Sequence, residues 1–385
     1  MRVLLVVGVV GGGVGRHVRQ LAEDLVSSGH QVVVACPEVV ADRFDLAATG
    51  ATVRPVEVGV AAPPAWARAL SGLRVLARGA DVVHAHGVRA GAAAALAAGG
   101  GRRGTPPPGD AASSPRTPVV VTSHNGPPSG RSAGLVYAVL EAAVCRRADL
   151  VLGVSADLVE RARRRGARAT LLAVVPSTAA APTTDAQRHD AARTLRAELG
   201  VAPTAAVVLT AGRLAEQKRV DLLVEAHRRL VSEARPGDAP VLIVAGDGPL
   251  AGELREQAAR GGGEVRFLGH RDDVPALLAA ADVVVSSADW EGQPLVLQEA
   301  LAAGAPLVAT DVGGTADLLD GAGVLVPAGS PGALARAVSG LLADPAARAD
   351  LSARARARAD RLPSRQDALD AVLTAYRAVL PPPVA

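Results

Sequence analysis

The sequence predicts an α/β protein made of two doubly wound, Rossmann-like parallel-sheet domains facing each other across a cleft. Three observations carry this expectation. Short β-branched apolar runs alternate with longer stretches of helical period. The alternation stops at a Pro/Thr/Ala-rich segment after Pro176 and then restarts. At 385 residues and 49% apolar content, the chain is too long for one ordinary core and suits two.

The elements follow in order. Val3–Val7 reads as a buried strand, followed by a loop at Gly11-Gly12-Gly13. Val14, Val18, Leu21, Ala22 and Leu25 then recur at helical spacing until Gly29 stops the helix. Further strands are expected at Gln31–Cys36, Asp81–Ala85, Val119–Ser123, Asp149–Gly153 and Leu171–Val175. Residues 100–118, with five prolines and no period, read as a flexible surface insertion. Pro176 to about Asp185 reads as the linker. After it, strands are expected at Ala205–Ala211, Val241–Ala245, Val265–Leu268, Asp282–Ser286, Pro306–Ala309 and Gly323–Val326. Helices near Ala346–Arg361 and Gln366–Val379 close the chain and are expected to pack back across the first domain. The domains are thus 1–180, 181–362 and a closing helix in 363–385. Strand, helix, strand in repetition implies parallel sheets covered on both faces.

Composition excludes several classes. Aromatics are 2% of the chain, too few for stacking platforms, so no nucleic-acid partner is expected. Cys36 and Cys145 form neither a disulfide framework nor a metal spacing. The first apolar run is too short for a signal segment, and no window reaches the roughly 18–20 apolar residues of a membrane span. The expectation is a cytoplasmic protein, or one peripheral on the inner face of the membrane. Residues 1–180 carry 20 Arg against 12 acids, and 181–385 carry 21 basic against 26 acidic residues. The basic half is compatible with contact with an anionic membrane, and equally with a solvated Arg-rich surface. Lys218 is the only lysine.

Four segments could carry chemistry. Gly11-Gly12-Gly13 offers bare amides at a helix start, which can approach an anion. It fails G-x-G-x-x-G because position 16 is Arg16, which disfavours a nicotinamide fold, and no P-loop motif occurs. Ala211 to Lys218 places Arg213 and Lys218 five residues apart on a strand–helix loop, where they could clamp a diphosphate. Trp290-Glu291-Gly-Gln-Pro-Leu-Val-Leu-Gln-Glu299 sets two carboxylates around a helix start, with Pro294 in its first turn. One can reach a sugar hydroxyl and the other a ribose diol, while the amides of Gln293, Leu295 and Val296 face a diphosphate. Thr122-Ser123-His124 puts His124 at a strand end, pointing into the cleft. His84 and His86 alternate onto one side of the preceding strand, but no third metal ligand is evident, so a structural or acceptor-lining role is favoured.

Taken with Gly246-Asp-Gly-Pro249, these segments resemble family 4 of the retaining glycosyltransferases, of GT-B fold, in the family's order and over nearly the whole chain. The resemblance implies that Arg213 and Lys218 bind the donor diphosphate, with Gly12 and Gly13 approaching it and Leu295 and Val296 supplying amides. Glu299 would hold the ribose, and Glu291, Gly292, Gln293 and Pro294 the transferred sugar. His124 would touch the sugar near the reacting centre, so His124 and Glu291 are the catalytic candidates. His270 and Arg271 would border the nucleobase. Two departures stand out: Pro176-Ser177-Thr178-Ala179 replaces the family's Pro-Asn-Gly, and His124-Asn125 replaces His-Asp.

The expected activity is transfer of a hexosyl group from a UDP- or GDP-linked sugar to the hydroxyl of a lipid, glycan or small molecule, with retention. It would serve glycolipid, envelope polysaccharide or small-glycoside synthesis. No D-x-D occurs, and the cations can do a metal's work, so neither metal nor cofactor is expected. One lysine argues against a pyridoxal-phosphate phosphorylase. A sugar-nucleotide epimerase of the same architecture and a catalytically silent binding homologue remain as alternatives.

Overall fold

The computed structural model describes residues 1–58, 63–98, 116–128, 130–177, 183–235 and 237–381. The chain divides into two units: Met1–Val175 with the closing segment from Pro363, and Pro176–Leu362.

In the first unit the chain runs β1 (Arg2–Val7), α1 (Gly12–Ser27), β2 (Gln31–Cys36), α2 (Glu38–Arg43), β3 (Thr52–Pro55), α3 (Pro63–Arg78), β4 (Val82–His86), α4 (Val88–Ala98), β5 (Val119–Ser123), α5 (Arg131–Arg147), β6 (Leu150–Gly153), α6 (Ala156–Arg164) and β7 (Thr170–Leu172). The strands form one parallel sheet in the order β3-β2-β1-β4-β5-β6-β7. Val3 to Val7 are at most 1% exposed, as a strand covered on both faces requires. Gly91 lies where a Cβ would sit 2.5 Å from Val121, which lets α4 press onto β5.

The second unit continues with α7 (Asp185–Leu199), β8 (Val207–Ala211), α8 (Val220–Glu233), β9 (Val241–Ala245), α9 (Ala251–Gly261), β10 (Val265–Gly269), α10 (Val274–Ala280), β11 (Val283–Ser286), α11 (Leu295–Ala302), β12 (Leu307–Thr310), α12 (Thr315–Leu319), β13 (Val324–Val326), α13 (Pro331–Ala343) and α14 (Pro345–Ala359). Its sheet is parallel in the order β10-β9-β8-β11-β12-β13. Two apolar clusters cover its faces, one centred on Leu209, Ile243 and Leu301 and the other on Leu242, Val244 and Leu334. The last helix, α15 (Arg365–Val379), belongs to the first unit and meets β5 and α1 there. Its Tyr376 is fully buried, and Arg365 pairs with Glu23 at 2.8 Å and with Asp24.

A repeated Ala-Asp pair fixes strand register. Asp81, Asp149 and Asp282 each follow an alanine and precede β4, β6 and β11. Each carboxylate accepts the first ladder amide of the neighbouring strand: Arg2 at 2.7 Å, Val119 at 2.9 Å and Val207 at 2.7 Å. Each also takes a guanidinium, from Arg2, Arg116 and Arg196. The Asp amide in turn donates to the carbonyl of the same neighbour.

The structure differs from the sequence expectation at several points. β3 was not anticipated, because a four-residue edge strand ending in proline gives no periodic signal. β7 is Thr170–Leu172 rather than Leu171–Val175, since its pairing with β6 ends at Gly153. Gly12 and Gly13 open α1 instead of preceding it. Of the two closing helices, α14 packs on α11 and α13 within the second unit, and only α15 joins the first. Most of the expected 100–118 insertion lies outside the described residues, as does Thr178.

Candidate functional site

Strand order in each sheet reverses once, between β1 and β4 in the first unit and between β8 and β11 in the second. Open α/β sheets bind ligands beyond the carboxyl ends of their strands at such points. Several of the residues singled out in the sequence lie on the loops and turns that follow these strands.

In the second unit, β8 leads into Gly212-Arg213 and β9 into Gly246-Asp247-Gly248-Pro249. The two loops interlock. The Gly212 amide donates to the Ala245 carbonyl at 2.9 Å, and the Leu214 amide to Asp247 at 2.9 Å. A Cβ on Gly246, whose φ is 137°, would stand 1.9 Å from the Gly212 oxygen, so only glycine permits this approach. Arg213 is left exposed on the loop. Lys218 follows in a short 3₁₀ turn (Glu216–Lys218), and its Nζ forms an ion pair with Glu291, from the loop after β11. Backbone contacts lock the two loops together: the Ser287 hydroxyl donates to the Lys218 carbonyl at 2.9 Å, and the Asp289 amide to Gln217 at 2.9 Å.

Glu291 is 7% exposed. Its carbonyl accepts the Gly314 amide at 2.9 Å, and Gly313, at φ 53°, passes where a Cβ would stand 1.9 Å from that carbonyl oxygen. Gly292 and Pro294 are buried, with Gln293 between them. Pro294 is the N-cap of α11, one position before the first-turn place expected for it. Leu295 and Val296 are therefore the first helical residues, whose amides have no acceptor inside the helix. Glu299, 2% exposed, lies just over one turn further on. It accepts the Ser177 hydroxyl at 2.7 Å, while the Ser177 amide donates to Gln298 at 2.8 Å. The serine of the divergent Pro176-Ser177 segment thus engages the carboxylate expected to hold a ribose.

His270 and Arg271 are placed apart from this group. They follow β10, the edge strand, and His270 is largely exposed. Arg271 is taken by Asp273 at 2.6 Å and Glu198 at 3.0 Å. No contact links either residue to Lys218 or Glu291 among the described residues.

In the first unit His124 is 8% exposed and pairs with His86 at 3.1 Å between Nε2 and Nδ1. His84 is occupied on both nitrogens, by the Tyr376 hydroxyl at 2.8 Å and the Thr122 hydroxyl at 2.7 Å, which makes it a structural tie between α15 and the sheet. Burial is the main cause that drives every one of these imidazoles toward neutrality. It pushes His84 down to about 3 and His17 to about 4, and lowers His86 and His124 well below the usual range, with neighbouring imidazoles adding to the effect. A neutral His124 has one donor and one acceptor nitrogen, of which Nε2 is engaged with His86, and it has no proton to give as an imidazolium.

Sequence reasoning missed His17, Asp289, the bond from Ser177 to Glu299 and the Gly313-Gly314 support of Glu291. Each acts through a distant partner in the chain, and only the loop glycines left a local trace.

Comparison with known proteins adds the following. Residues 205–344 match the profile of "Glycosyl transferases group 1", and residues 12–178 that of "Glycosyl transferase 4-like domain". The chain is 31% identical over 401 residues to the glycogen synthase of Mycobacterium tuberculosis, covering 95% of this chain and 91% of that one. It is 34% identical over 128 residues to the lipopolysaccharide core biosynthesis mannosyltransferase LpsB of Rhizobium meliloti, a match covering 32% of this chain and 36% of that one. In fold it is similar to Anabaena HepE, solved in complex with UDP and glucose. That match has a TM-score of 0.80 at 21% identity, over 98% of this chain and 100% of the other. Among the described residues no helix is long and apolar enough to cross a membrane.

Proposed function

The chain belongs to the group 1 glycosyltransferases, of GT-B fold, and transfers sugars; from that premise we propose that it moves a hexosyl unit from a UDP- or GDP-linked sugar to an acceptor hydroxyl, retaining the anomeric configuration and using no metal ion. The observation that carries this reading is the meeting of Lys218, Glu291 and the start of α11 at the β8/β11 reversal, with Glu299 one turn inside the helix.

The roles follow from chemistry. As the glycosidic bond breaks, charge grows on the departing diphosphate. Arg213, Lys218 and the amides of Leu295 and Val296 are fixed donors for that charge. The arriving diphosphate competes with Glu291 for the Lys218 ammonium, which frees the Glu291 carboxylate for sugar hydroxyls, beside Gly292, Gln293 and Pro294. Glu299 accepts from the ribose diol in place of Ser177. His270 and Arg271 border the nucleobase in this reading. Neutral His124 hydrogen-bonds a sugar hydroxyl instead of acting as an acid. The leaving phosphate oxygen takes the acceptor proton, so the acceptor attacks on the face the diphosphate leaves.

Membership and the LpsB likeness support an acceptor in glycolipid or envelope polysaccharide synthesis. Peripheral contact with an anionic bilayer belongs to the same reading. It is supported by the exposed Leu135, Val136 and Val139 of α5, 54–68% exposed, in the arginine-rich half of the chain.

The test is a panel of nucleotide sugars scored by nucleotide diphosphate release and by thermal shift, since a bound donor stabilises the folded state. Lys218→Ala is expected to cut turnover by about 10²–10³. Glu299→Ala should lose the donor-induced shift. Wild-type donor binding in both variants would overturn the assignment. A chelator should leave transfer undiminished, and a loss that Mg²⁺ restores would refute the metal-free mechanism.

A further inference from the structure

Three imidazoles converge at the carboxyl end of the first unit's sheet, each from a different element. His17 comes from α1, His86 from the end of β4 and His124 from the turn after β5. All three are buried, at 6%, 1% and 8% exposure. Their ring centres make a nearly equilateral triangle: 5.6 Å for His17–His86, 5.5 Å for His17–His124 and 5.4 Å for His86–His124. One nitrogen from each ring lies within 4.8 Å of the others, and the His86–His124 nitrogen pair is at 3.1 Å.

That triangle has the dimensions of a coordination site. Tetrahedral zinc with bonds of about 2.0–2.1 Å sets its ligand nitrogens about 3.3 Å apart and imidazole centres about 5.3 Å apart. The donor set is chemically apt. Imidazole nitrogen is among the commonest zinc ligands. Among the described residues no carboxylate joins the cluster, which disfavours Mg²⁺ and Ca²⁺ and suits a borderline cation. His84 stands outside the set because Tyr376 and Thr122 hold both its nitrogens.

We propose that His17, His86 and His124 form a three-histidine site for Zn²⁺ with a fourth position open to water, and that filling it suppresses sugar transfer by taking the His124 ring away from the sugar. The metal site stands on geometry alone, while the suppression rests on the transfer reading above. Zinc here is an inhibitor, not a cofactor, so the site does not conflict with metal-free catalysis.

The experiment titrates Co²⁺ into chelator-treated, full-length protein and follows the visible bands of tetrahedral cobalt. One equivalent should bind and be displaced by Zn²⁺. His17→Gln and His86→Gln should each weaken binding at least tenfold, while His227→Gln, buried in the second unit, should not. Far-UV circular dichroism and a cooperative thermal transition check that each variant is folded. No tetrahedral bands in the wild type, or equal bands in the wild type and both cluster variants, would overturn the site. Nucleotide release is then measured with and without one equivalent of Zn²⁺. Inhibition reversed by chelator supports the proposal, and full activity of the zinc-loaded protein overturns the suppression. Cobalt bands together with no release from any donor uphold the site and count against the transfer reading instead.

Discussion

Arg219, next to Lys218, has φ 47°, a left-handed backbone that costs a side-chain-bearing residue about 1 kcal/mol. Two acids hold it there, Asp221 at 3.0 Å and Asp289 at 3.1 Å. The kink turns the chain from the 3₁₀ turn into α8 and fixes where Lys218 emerges. Arg219→Ala keeps the strain and loses both pairs, whereas Arg219→Gly removes the strain. Urea unfolding should therefore find Ala less stable than Gly by about 1 kcal/mol, and both should weaken donor binding by loosening Lys218. His227 supplies a second test. Burial pushes it down to about 4, with a backbone contact to Glu264 opposing. The native state thus holds fewer protons than the unfolded one between about pH 6.5 and about 4. The stabilisation is complete above that window and falls by at most about 1.4 kcal/mol per pH unit within it. His227→Leu should flatten this part of the stability–pH curve, and an unchanged slope would refute the assignment. Glu291, Glu299 and Lys218 could be picked out in the sequence because a strand, a turn and a helix start lie within a few residues of each. His17 could not: a lone histidine on an amphipathic helix resembles many others, and its partners are some 70 and 107 positions away.

At the scale of elements, register is set where strands begin. The Ala-Asp pairs at 80–81, 148–149 and 281–282 tie three strand starts to their neighbours through a carboxylate, an amide and an arginine. Removing such a carboxylate strands a ladder amide and an arginine together. Asp282→Ala should cost about 1.5–3 kcal/mol, with Arg196 only 12% exposed, and should be read as an earlier unfolding transition of the second unit. Asp282→Asn, which keeps an acceptor, should recover part of the loss. Most strands were readable because each is a short apolar run bounded by glycine, proline or aspartate. β3 was not: its exposed residues carry no apolar alternation, and its place is decided by pairing with β2. Helix ends read less well than helix centres, as α1 shows by starting at Gly12.

For the whole molecule, the informative feature is that the last helix completes the first unit. Tyr376 and Arg365 of α15 reach residues 292 and 342 positions earlier in the chain. A chain ending at Leu362 should lose stability in the first unit while leaving the second intact. Hydrogen exchange would show it as faster exchange in β1, β4 and β5, with β8, β9 and β11 unchanged; equal loss in both units would refute the idea. Repetition of strand and helix announced two parallel sheets from the sequence alone. The order of strands within each sheet was not written locally, since it depends on which right-handed crossovers pack best. The uneven charge was visible at once, but its purpose needs vesicles: binding to anionic and not to zwitterionic bilayers is the expected result.

Lys218 is the only lysine in the chain, and it pairs with Glu291 at the candidate donor site. It follows that the protein carries a single side-chain amine, placed where the donor is expected. An amine-acylating reagent should modify one side chain, and a lysine-specific protease has one place to cut, after residue 218. Both reactions become reporters of occupancy: a nucleotide sugar that covers the ammonium should slow each of them, and mass spectrometry would read the protection without any acceptor or product in hand.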